Sequence, residues 1–292
     1  MKKLLALLMV AVLGMSVLTA CSKTEEPKDN VEDAGVVEDV NNDDTNAEDV
    51  NAEDANAEDA DSEAENAATG EVLVVGTNAE FPPFEYVGDD GEPDGFDIAL
   101  IKAIGEKMGR EVKVENMAFD SLVTAIGSKI DIAIAGMTVT EERLEAVDFS
   151  DNYYTALQYV IVPADSEIAT AEDLVGKTIG VQLGTTGDFI ASDDIADSNV
   201  SAYNKAVDAV NDLINGRVDC VIIDKNPALV FAEEFEGQVK AIDGAEFGFA
   251  EEYYAIALPK GDTELAEAIN TALKELKEDG TFDALVEQYI EN

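Results

Sequence analysis

The sequence predicts an α/β protein of two similar lobes, preceded by a long acidic segment. From residue 71 onward, short apolar segments with the character of buried strands alternate with amphipathic helices. A pattern of helix, small-residue turn, basic residue, aspartate and apolar strand occurs twice, at residues 121–135 and 209–223. Because strands that alternate with helices form mostly parallel sheets, each copy of the pattern is expected to belong to one lobe.

The first 20 residues have the pattern of a bacterial signal peptide. Lys2 and Lys3 provide a positive start, residues 4–18 are largely apolar, and small residues precede Cys21. A cysteine directly after such a site resembles the lipobox of bacterial lipoproteins, in which that cysteine carries the lipid. Cys21 is therefore the expected lipid attachment site. The alternative is an ordinary signal peptide followed by a chance cysteine.

Residues 21–70 combine the expected lipidated cysteine with an acidic segment of low complexity. The segment contains three tandem pentads that begin at Asn46, Asn51 and Asn56. Large apolar residues are scarce and like charges repel, so a disordered, extended linker is expected. We interpret it as a tether that holds a folded domain away from the membrane. A weak cation-binding tract is the other interpretation, and the two are compatible.

Composition argues against several classes of function. The formal net charge of −46 disfavours nucleic acid and anionic membrane surfaces as partners. The chain has no histidine, which removes His-based catalytic triads and His-rich metal sites. No cofactor and no metal site is predicted. Cys220, the one cysteine besides Cys21, lies in an apolar strand pattern and is predicted to be an inert buried thiol.

Residues 71–160 are expected to form the first part of lobe I. The predicted elements are a buried strand at 72–76, a helix at 95–108 that Gly109 ends, a strand at 112–114, a helix that Asp120 caps, and a strand at 130–135.

Lobe II is expected to span residues 161–250, and residues 251–292 are expected to return to lobe I. The predicted elements are a strand ending near Val181, a helix that opens at 184–187, a helix at 206–214, a strand at 218–223, an apolar run at 253–258, a helix at 263–277 and a last helix after Gly280. Two connecting strands, one outward and one returning, would form a hinge.

Residues 136–154 hold the clearest indication of a binding site. They follow the predicted strand at 130–135 and place Arg143 one turn into a short helix that Thr140 can cap. A strand end, small residues and a guanidinium group together suit a carboxylate ligand. The alternative is that Arg143 is a surface residue paired with a neighbouring acidic side chain.

Four motifs, in order and with similar spacing, resemble the amino-acid-type (family 3) solute-binding proteins of ATP-binding-cassette importers. They are NAEFPPFE at 78–85, GFDIAL at 95–100, GMTVTEER at 136–143 and VDFS at 147–150. The resemblance covers residues 71–292. It implies the periplasmic-binding-protein-like type II fold, in which two α/β lobes joined by a two-strand hinge close on a ligand.

The resemblance also implies ligand contacts at ten positions. Those expected to bind the α-carboxylate and α-ammonium of an amino acid are Arg143, Thr138, Thr186, Asp224 and the carbonyl of Gly136. Those expected around its side chain are Phe81, Phe119, Asn78, Ala135 and Gln182. Two alternatives stay open: Asp224 could merely cap the following turn, and the phenylalanines could be ordinary core residues.

The ligand class is less well defined by the sequence. Relatives that bind cationic amino acids usually carry an acidic residue where Asn78 stands, and Gln182 suits a polar, neutral side chain. The prediction is therefore a polar, uncharged amino acid such as glutamine or cystine. Glu80 and Glu85 keep a cationic ligand open.

Three functions compete at this point. The favoured one is an extracytoplasmic, lipid-anchored, monomeric binding protein that is not an enzyme and delivers an amino acid to the permease of an ABC importer. The second is an enzyme on the same fold, such as a cyclohexadienyl or arogenate dehydratase, with Glu80 as the nearest candidate acid. The third is a ligand-sensing or interaction protein of the cell surface.

Overall fold

The computed structural model describes residues 71–291. The predicted signal peptide, Cys21 and the acidic linker lie outside the described residues. No helix within the described range is long and apolar enough to cross a membrane.

Short strands and longer helices alternate along the described chain, as the sequence predicts. The strands are β1 (Leu73–Thr77), β2 (Glu80–Phe81), β3 (Glu85–Val87), β4 (Pro93–Asp94), β5 (Val112–Asn116), β6 (Ile132–Ala133), β7 (Val147–Phe149), β8 (Tyr154–Pro163), β9 (Thr178–Gln182), β10 (Asn199–Tyr203), β11 (Cys220–Asp224), β12 (Val239–Asp243), β13 (Glu251–Tyr254) and β14 (Ala257–Pro259). The α-helices are α1 (Phe96–Met108), α2 (Leu122–Ala125), α3 (Glu141–Ala146), α4 (Thr186–Phe189), α5 (Ala206–Ile214), α6 (Lys225–Glu234), α7 (Thr263–Asp279) and α8 (Thr281–Tyr289).

Two sheets organise the molecule, and each defines a lobe. The first lobe surrounds a five-stranded sheet of order β5-β1-β6-β14-β7, in which β5, β1 and β6 are parallel. The second lobe surrounds a sheet of order β10-β9-β11-β8-β12, in which β10, β9 and β11 are parallel. The small sheet β2-β3-β4 lies beside the first lobe's helix α1.

Strands β8 and β13 connect the lobes. The first half of β8 pairs antiparallel with β13, from Tyr154 opposite Tyr254 to Leu157 opposite Glu251. The second half of β8 pairs with β11 and β12 in the second sheet. A two-strand connection of this kind lets two rigid lobes move relative to each other while the backbone angles change at only a few residues. These two strands form the hinge that the sequence predicts.

The faint internal likeness in the sequence corresponds to one repeated local structure. The carboxylate of Asp131 accepts a hydrogen bond of 2.8 Å from the N–H of Val74, and that of Asp219 accepts one of 2.8 Å from Thr178. In both copies the aspartate's own N–H donates back to the carbonyl of the same partner residue. Each aspartate thereby fixes the start of a buried strand against its parallel neighbour.

Several local predictions agree with the structure. Thr140 caps α3 by accepting from the N–H of Arg143 at 3.2 Å, and Gly109 and Gly280 end helices in the left-handed conformation. The apolar face of α7 is buried. Cys220 is fully buried in β11, where burial raises the pKa of its thiol to about 12 and makes it unreactive.

Two local predictions are wrong, and one helix was not predicted. The strand expected at 130–135 is ordered as a strand only at Ile132–Ala133, because β6 pairs with β1 over two residues, although the whole apolar run is buried. Asp120 does not cap α2; it lies inside the short 3-10 helix Phe119–Ser121. Residues 225–234 form helix α6, which was not predicted from the sequence; Pro227 lies in its first turn, where its missing N–H costs nothing.

Candidate functional site

A small cavity lies where the two lobes face each other. Its lining comes from segments at the carboxyl ends of parallel strands in both sheets, the edge at which α/β proteins place their ligands. The lining residues are Asn78, Phe81, Glu85, Phe119, Ala135, Gly136, Thr138, Arg143, Gln182, Thr185, Thr186 and Asp224. All ten positions predicted from the sequence are therefore brought together around one cavity, while their contacts with a ligand stay a prediction.

Arg143 is the buried cation of this cavity. Its side chain is held by the first lobe through a bond of 2.6 Å from Nη1 to the carbonyl of Thr138, and it reaches the second lobe through a bond of 3.0 Å from Nη2 to Gly184. Burial lowers the pKa of the guanidinium to about 10, partly offset by the nearby charges of Glu252 and Asp224. Arg143 is thus buried and charged, not the surface residue of the alternative interpretation.

Asp224 ends strand β11 on the opposite side of the cavity. One of its carboxylate oxygens accepts a short hydrogen bond from the hydroxyl of Tyr254 on the hinge strand β13. Burial, followed by the charge of Glu252, raises the pKa of Asp224 to about 7. Its side chain forms no capping bond to α6, so the alternative role as a simple turn cap is not seen. A positive group in the cavity would stabilise its charged form.

Glu252 on β13 links the two lobes and was not identified from the sequence. Its Oε2 accepts from the hydroxyl of Thr138 at 2.7 Å and from that of Thr186 at 2.8 Å. Nε2 of Gln158, at 3.4 Å, approaches the same oxygen. The alternation of exposed and inward residues along β13 could have indicated an inward side chain here, but not its partners in two lobes.

An amide pair joins the lobes at another part of the cavity. Nε2 of Gln182 donates to Oδ1 of Asn78 at 2.8 Å, and Nδ2 of Asn78 donates to the carbonyl of Met117 at 2.9 Å. Both side chains are buried. The pair leaves further amide donor and acceptor capacity, which suits a polar ligand group.

Two aromatic rings contribute to the lining. Phe81 is buried, whereas Phe119 is partly exposed and carries the guanidinium carbon of Arg143 at 5.3 Å from its ring centroid. This cation–π contact holds the guanidinium in place. Gly136 has a φ of 51°, and a Cβ there would lie 2.8 Å from the ring of Phe81. A glycine is therefore required for Phe81 to lie this close to the strand end.

Glu85 and Thr185 complete the lining and were not among the predicted contacts. Thr185 caps α4 by accepting from the N–H of Asp188 at 3.3 Å. Glu85 is 1% exposed, and burial raises its pKa well above the usual range, with the charge of Asp97 as the next cause. Its place in the PPFE motif gives a sequence signal, but its burial depends on helix α1, which follows later in the chain. Glu80, the candidate acid of the enzyme hypothesis, is not in this lining and pairs with Lys205 of the second lobe at 2.5 Å.

The fold has two α/β lobes joined by a two-strand connection. Between the lobes lies a buried cavity to which one lobe contributes a cation and the other a carboxylate. These features define a small-molecule-binding protein of the periplasmic-binding-protein type II class. The chain belongs to the bacterial extracellular solute-binding proteins, family 3, whose family model matches residues 73–292.

Its relatives are amino-acid-binding proteins. The chain is 37% identical over 226 residues to the arginine-binding extracellular protein ArtP of Bacillus subtilis (strain 168), covering 74% of this chain and 85% of ArtP. It is 32% identical over 220 residues to the L-cystine-binding protein TcyJ of Escherichia coli (strain K12), covering 74% of this chain and 82% of TcyJ.

Solved structures of similar proteins agree. An ancestral arginine-binding protein bound to arginine has 43% sequence identity and a TM-score of 0.70, over 76% of this chain and 99% of the other. The ancestral amino acid-binding protein AncCDT-1, a precursor of cyclohexadienyl dehydratase, has 35% identity and a TM-score of 0.69, over 75% of this chain and 95% of the other. The homologues are thus extracellular or periplasmic binding proteins for amino acids.

Proposed function

We propose that this protein captures an amino acid between its lobes and delivers it to the permease of an ABC importer. The observation that carries the proposal is the pair of buried, opposite charges, Arg143 in the first lobe and Asp224 in the second, on the wall of one cavity. A free amino acid carries the complementary charges on one small backbone. Because an unpaired buried charge costs several kcal/mol, both ends of such a ligand need partners once water is excluded.

The proposed contacts follow from this pairing. Arg143 binds the α-carboxylate, and Asp224 with the carbonyl of Gly136 binds the α-ammonium. Thr138 and Thr186 each have one hydroxyl hydrogen, and Glu252 accepts both. The hydroxyls must therefore turn from Glu252 to the ligand if they are to donate to its carboxylate. Around the ligand side chain lie Phe81, Phe119, Ala135, Asn78 and Gln182.

Two ligand classes fit different parts of the cavity. The amide pair of Asn78 and Gln182 supports the sequence-based prediction of a polar, uncharged side chain. Glu85, a buried acid in the lining, supports a cationic side chain instead, and so do the arginine-binding relatives. We favour the cationic class, because an amide pair can also accept hydrogen bonds from a guanidinium or ammonium group.

Anchoring to the membrane through Cys21 is part of the proposal. A lipid on Cys21 with the linker of residues 22–70 would keep the binding domain near the permease. The full-length chain is expected in the membrane fraction of the cell, and Cys21→Ala is expected to move it to the soluble fraction or the medium. An unchanged membrane association of Cys21→Ala would contradict lipid anchoring at this residue.

The enzyme alternative has less support from the geometry. Its candidate acid, Glu80, is partly exposed and paired with Lys205, so it is not poised to donate a proton into the cavity. The likeness to AncCDT-1 keeps the alternative open to a direct test. Incubation of the full chain with prephenate or arogenate is expected to give no product, and steady product release would favour the dehydratase.

Calorimetric titration of the full-length chain against the twenty amino acids, cystine and ornithine tests the proposal. Binding without turnover is expected for at least one of them, and Arg143→Ala is expected to abolish it. Arg217→Ala is the matched control, because Arg217 is an exposed arginine of the second lobe paired with Asp212. If none of these ligands bound, or if the two variants behaved alike, the importer proposal would be wrong.

A further inference from the structure

Two buried carboxyl groups lie together behind the cavity wall. Glu85 on β3 lines the cavity and is 1% exposed, and Asp97 on α1 is fully buried behind it. The two carboxyl groups are close enough to interact, and the charge of Asp97 adds to burial in raising the pKa of Glu85. Among residues 71–291, no donor reaches Oε2 of Glu85 or Oδ1 of Asp97. Since two adjacent buried carboxylates repel each other, one proton held between them accounts for the contact and for both oxygens.

The backbone near Gly95 brings the two groups together. Gly95 has a φ of 120°, and a Cβ there would lie 2.3 Å from the carbonyl oxygen of Phe84. This close approach lets the N–H of Asp97 donate to the Phe84 carbonyl at 2.8 Å, directly beside Glu85. The segments around Phe84 and Gly95 can therefore approach this closely only because residue 95 is a glycine.

Asp97 is held as the ionised partner of the pair. Its Oδ2 accepts from the N–H of Gly136 at 2.7 Å and from the hydroxyl of Tyr153 at 2.8 Å. Within the described residues no donor reaches Oε2 of Glu85, so we place the shared proton on Glu85. Asp97 is a positioning residue, which orients both Glu85 and the Gly136 backbone.

The charges around the cavity are unequal. Arg143 is the buried cation of the lining, whereas buried or partly buried carboxyl groups are contributed by Glu85, Asp97, Asp224 and Glu252. A ligand with only the two backbone charges of an amino acid leaves that excess unchanged. A ligand with an additional positive side chain reduces it, and Glu85 is the carboxyl group of the lining that remains once Asp224 pairs with the α-ammonium.

We propose that a cationic amino acid places its side-chain cation against Glu85 and displaces the proton that Glu85 shares with Asp97. The proposal rests on the function proposed above and names the ligand class of the same site. The step balances: the O–H bond of the Glu85 carboxyl group breaks, its electron pair stays on the carboxylate, and the proton leaves to solvent. The positive charge of the ligand takes the place of the proton, so the site exchanges one cation for another.

The titration of the neighbouring groups agrees with this exchange. Burial raises the pKa of Glu85 well above its usual range and that of Asp97 to about 6. The groups that face the pair are Tyr153 on Asp97, Asp224 across the cavity and, through Asp224, Tyr254 and Glu252. A proton on Glu85 competes with the ligand cation, so affinity for a cationic ligand rises with pH through the titration of Glu85.

Proton counting during ligand binding tests the proposal. The full-length chain is titrated near pH 7 with arginine and with citrulline, which has the same length but an uncharged end, in two buffers of different ionisation enthalpy. Asp224 meets the α-ammonium of both ligands, so its own proton release cancels in the comparison. Arginine is expected to release up to about one proton more than citrulline. Glu85→Gln is expected to remove this difference, and Glu80→Gln, at an acid of the same motif that lies outside the lining, to keep it.

The possible outcomes distinguish a failure of the exchange at Glu85 from a failure of the proposed amino-acid-binding function. Equal proton release with arginine and citrulline would overturn the exchange at Glu85. Binding of glutamine but not of arginine would overturn the cationic ligand and leave the proposed function standing. Failure of every amino acid to bind would overturn both. Should Glu85→Gln fail to fold, the comparison of arginine with citrulline on the unmodified chain decides alone.

Discussion

Thr138 in the first lobe donates its hydroxyl hydrogen to Oε2 of Glu252 on the hinge strand, at 2.7 Å, and Thr186 of the second lobe donates to the same oxygen at 2.8 Å. One carboxylate oxygen therefore holds both lobes together at the site where we propose that a ligand carboxylate binds. Hydrogen bonds to a charged acceptor contribute about 1.5–3 kcal/mol each. Closure of the lobes and ligand recognition thus use the same two hydroxyl groups.

Glu252→Ala is expected to open the ligand-free protein. The variant loses the shared acceptor of Thr138 and Thr186, which should make closure less favourable by about 2–3 kcal/mol. Small-angle X-ray scattering without ligand is expected to show a larger radius of gyration than for the unmodified chain. Saturating ligand should restore the compact form, because its own contacts bridge the lobes.

The adjacent residue supplies the control for this prediction. Glu251 lies on the same strand with its side chain exposed, so Glu251→Ala removes an equal charge without touching the two threonines. Its scattering curve should match that of the unmodified chain. If both variants opened the protein equally, net charge and not the shared oxygen would control closure.

Asp224→Asn is expected to weaken amino-acid binding by about 100-fold, or about 2.7 kcal/mol, because the α-ammonium loses its buried counter-charge. The amide can still accept from Tyr254, so the fold should be preserved, as circular dichroism can verify. Asp243→Asn is the control, since Asp243 also accepts from a tyrosine, Tyr159, but on an exposed part of β12. Equal affinity in Asp224→Asn and the unmodified chain would show that the ammonium pairs elsewhere.

The stability of the ligand-free protein is expected to fall as pH rises from about 4 to about 7. Burial raises the pKa of Asp224 to about 7 in the folded state, whereas an unfolded aspartate titrates near 3.9. Between these values the folded state holds a proton that the unfolded state has lost, so raising the pH favours unfolding. Asp97, with a pKa of about 6, acts in the same direction.

Thermal unfolding across this window measures the effect. The melting temperature of Asp224→Asn should fall less steeply than that of the unmodified chain, because an amide does not titrate. Partly exposed carboxylates with lowered pKa values, such as Asp148 and Asp212, have the opposite sign but act below about pH 4. Identical slopes in the two proteins would contradict the role given to Asp224.

Gly95→Ala is expected to destabilise the folded domain by about 3 kcal/mol or more, because the new Cβ would overlap the Phe84 carbonyl oxygen at 2.3 Å. Gly91→Ala is the control that measures the cost of backbone strain without such an overlap. Gly91 also has a positive φ, 86°, but no atom within 4 Å of its Cβ position, so its cost should be about 1 kcal/mol. Urea denaturation of both variants gives the difference, and equal losses would mean that the overlap relaxes freely.

Much of the fold follows from patterns within single elements. The cap at Thr140, the helix ends at Gly109 and Gly280 and the apolar faces of the helices depend on residues within one or two turns, so the sequence predicts them. The length of strand β6 was predicted wrongly, because it depends on pairing with β1, which covers two residues of each strand and joins positions 57 residues apart. Helix α6 was missed because Pro227 suits both a turn and a first helical turn.

The candidate site also has features that depend on neighbouring residues and features that depend on distant ones. The motifs around Arg143 and Asp224 place each group at a strand end, and that placement follows from the sequence because strand ends are local. The sequence alone does not show that Glu85 and Asp97 share a buried contact, or that Glu252 accepts from both lobes. These relationships depend on distances between distant segments, and on the loss of water that raises the cost of every unpaired charge there. The sequence by itself predicted that Arg143 and Asp224 would lie at one site. The tertiary structure decided which of them are buried, and therefore which hold a proton.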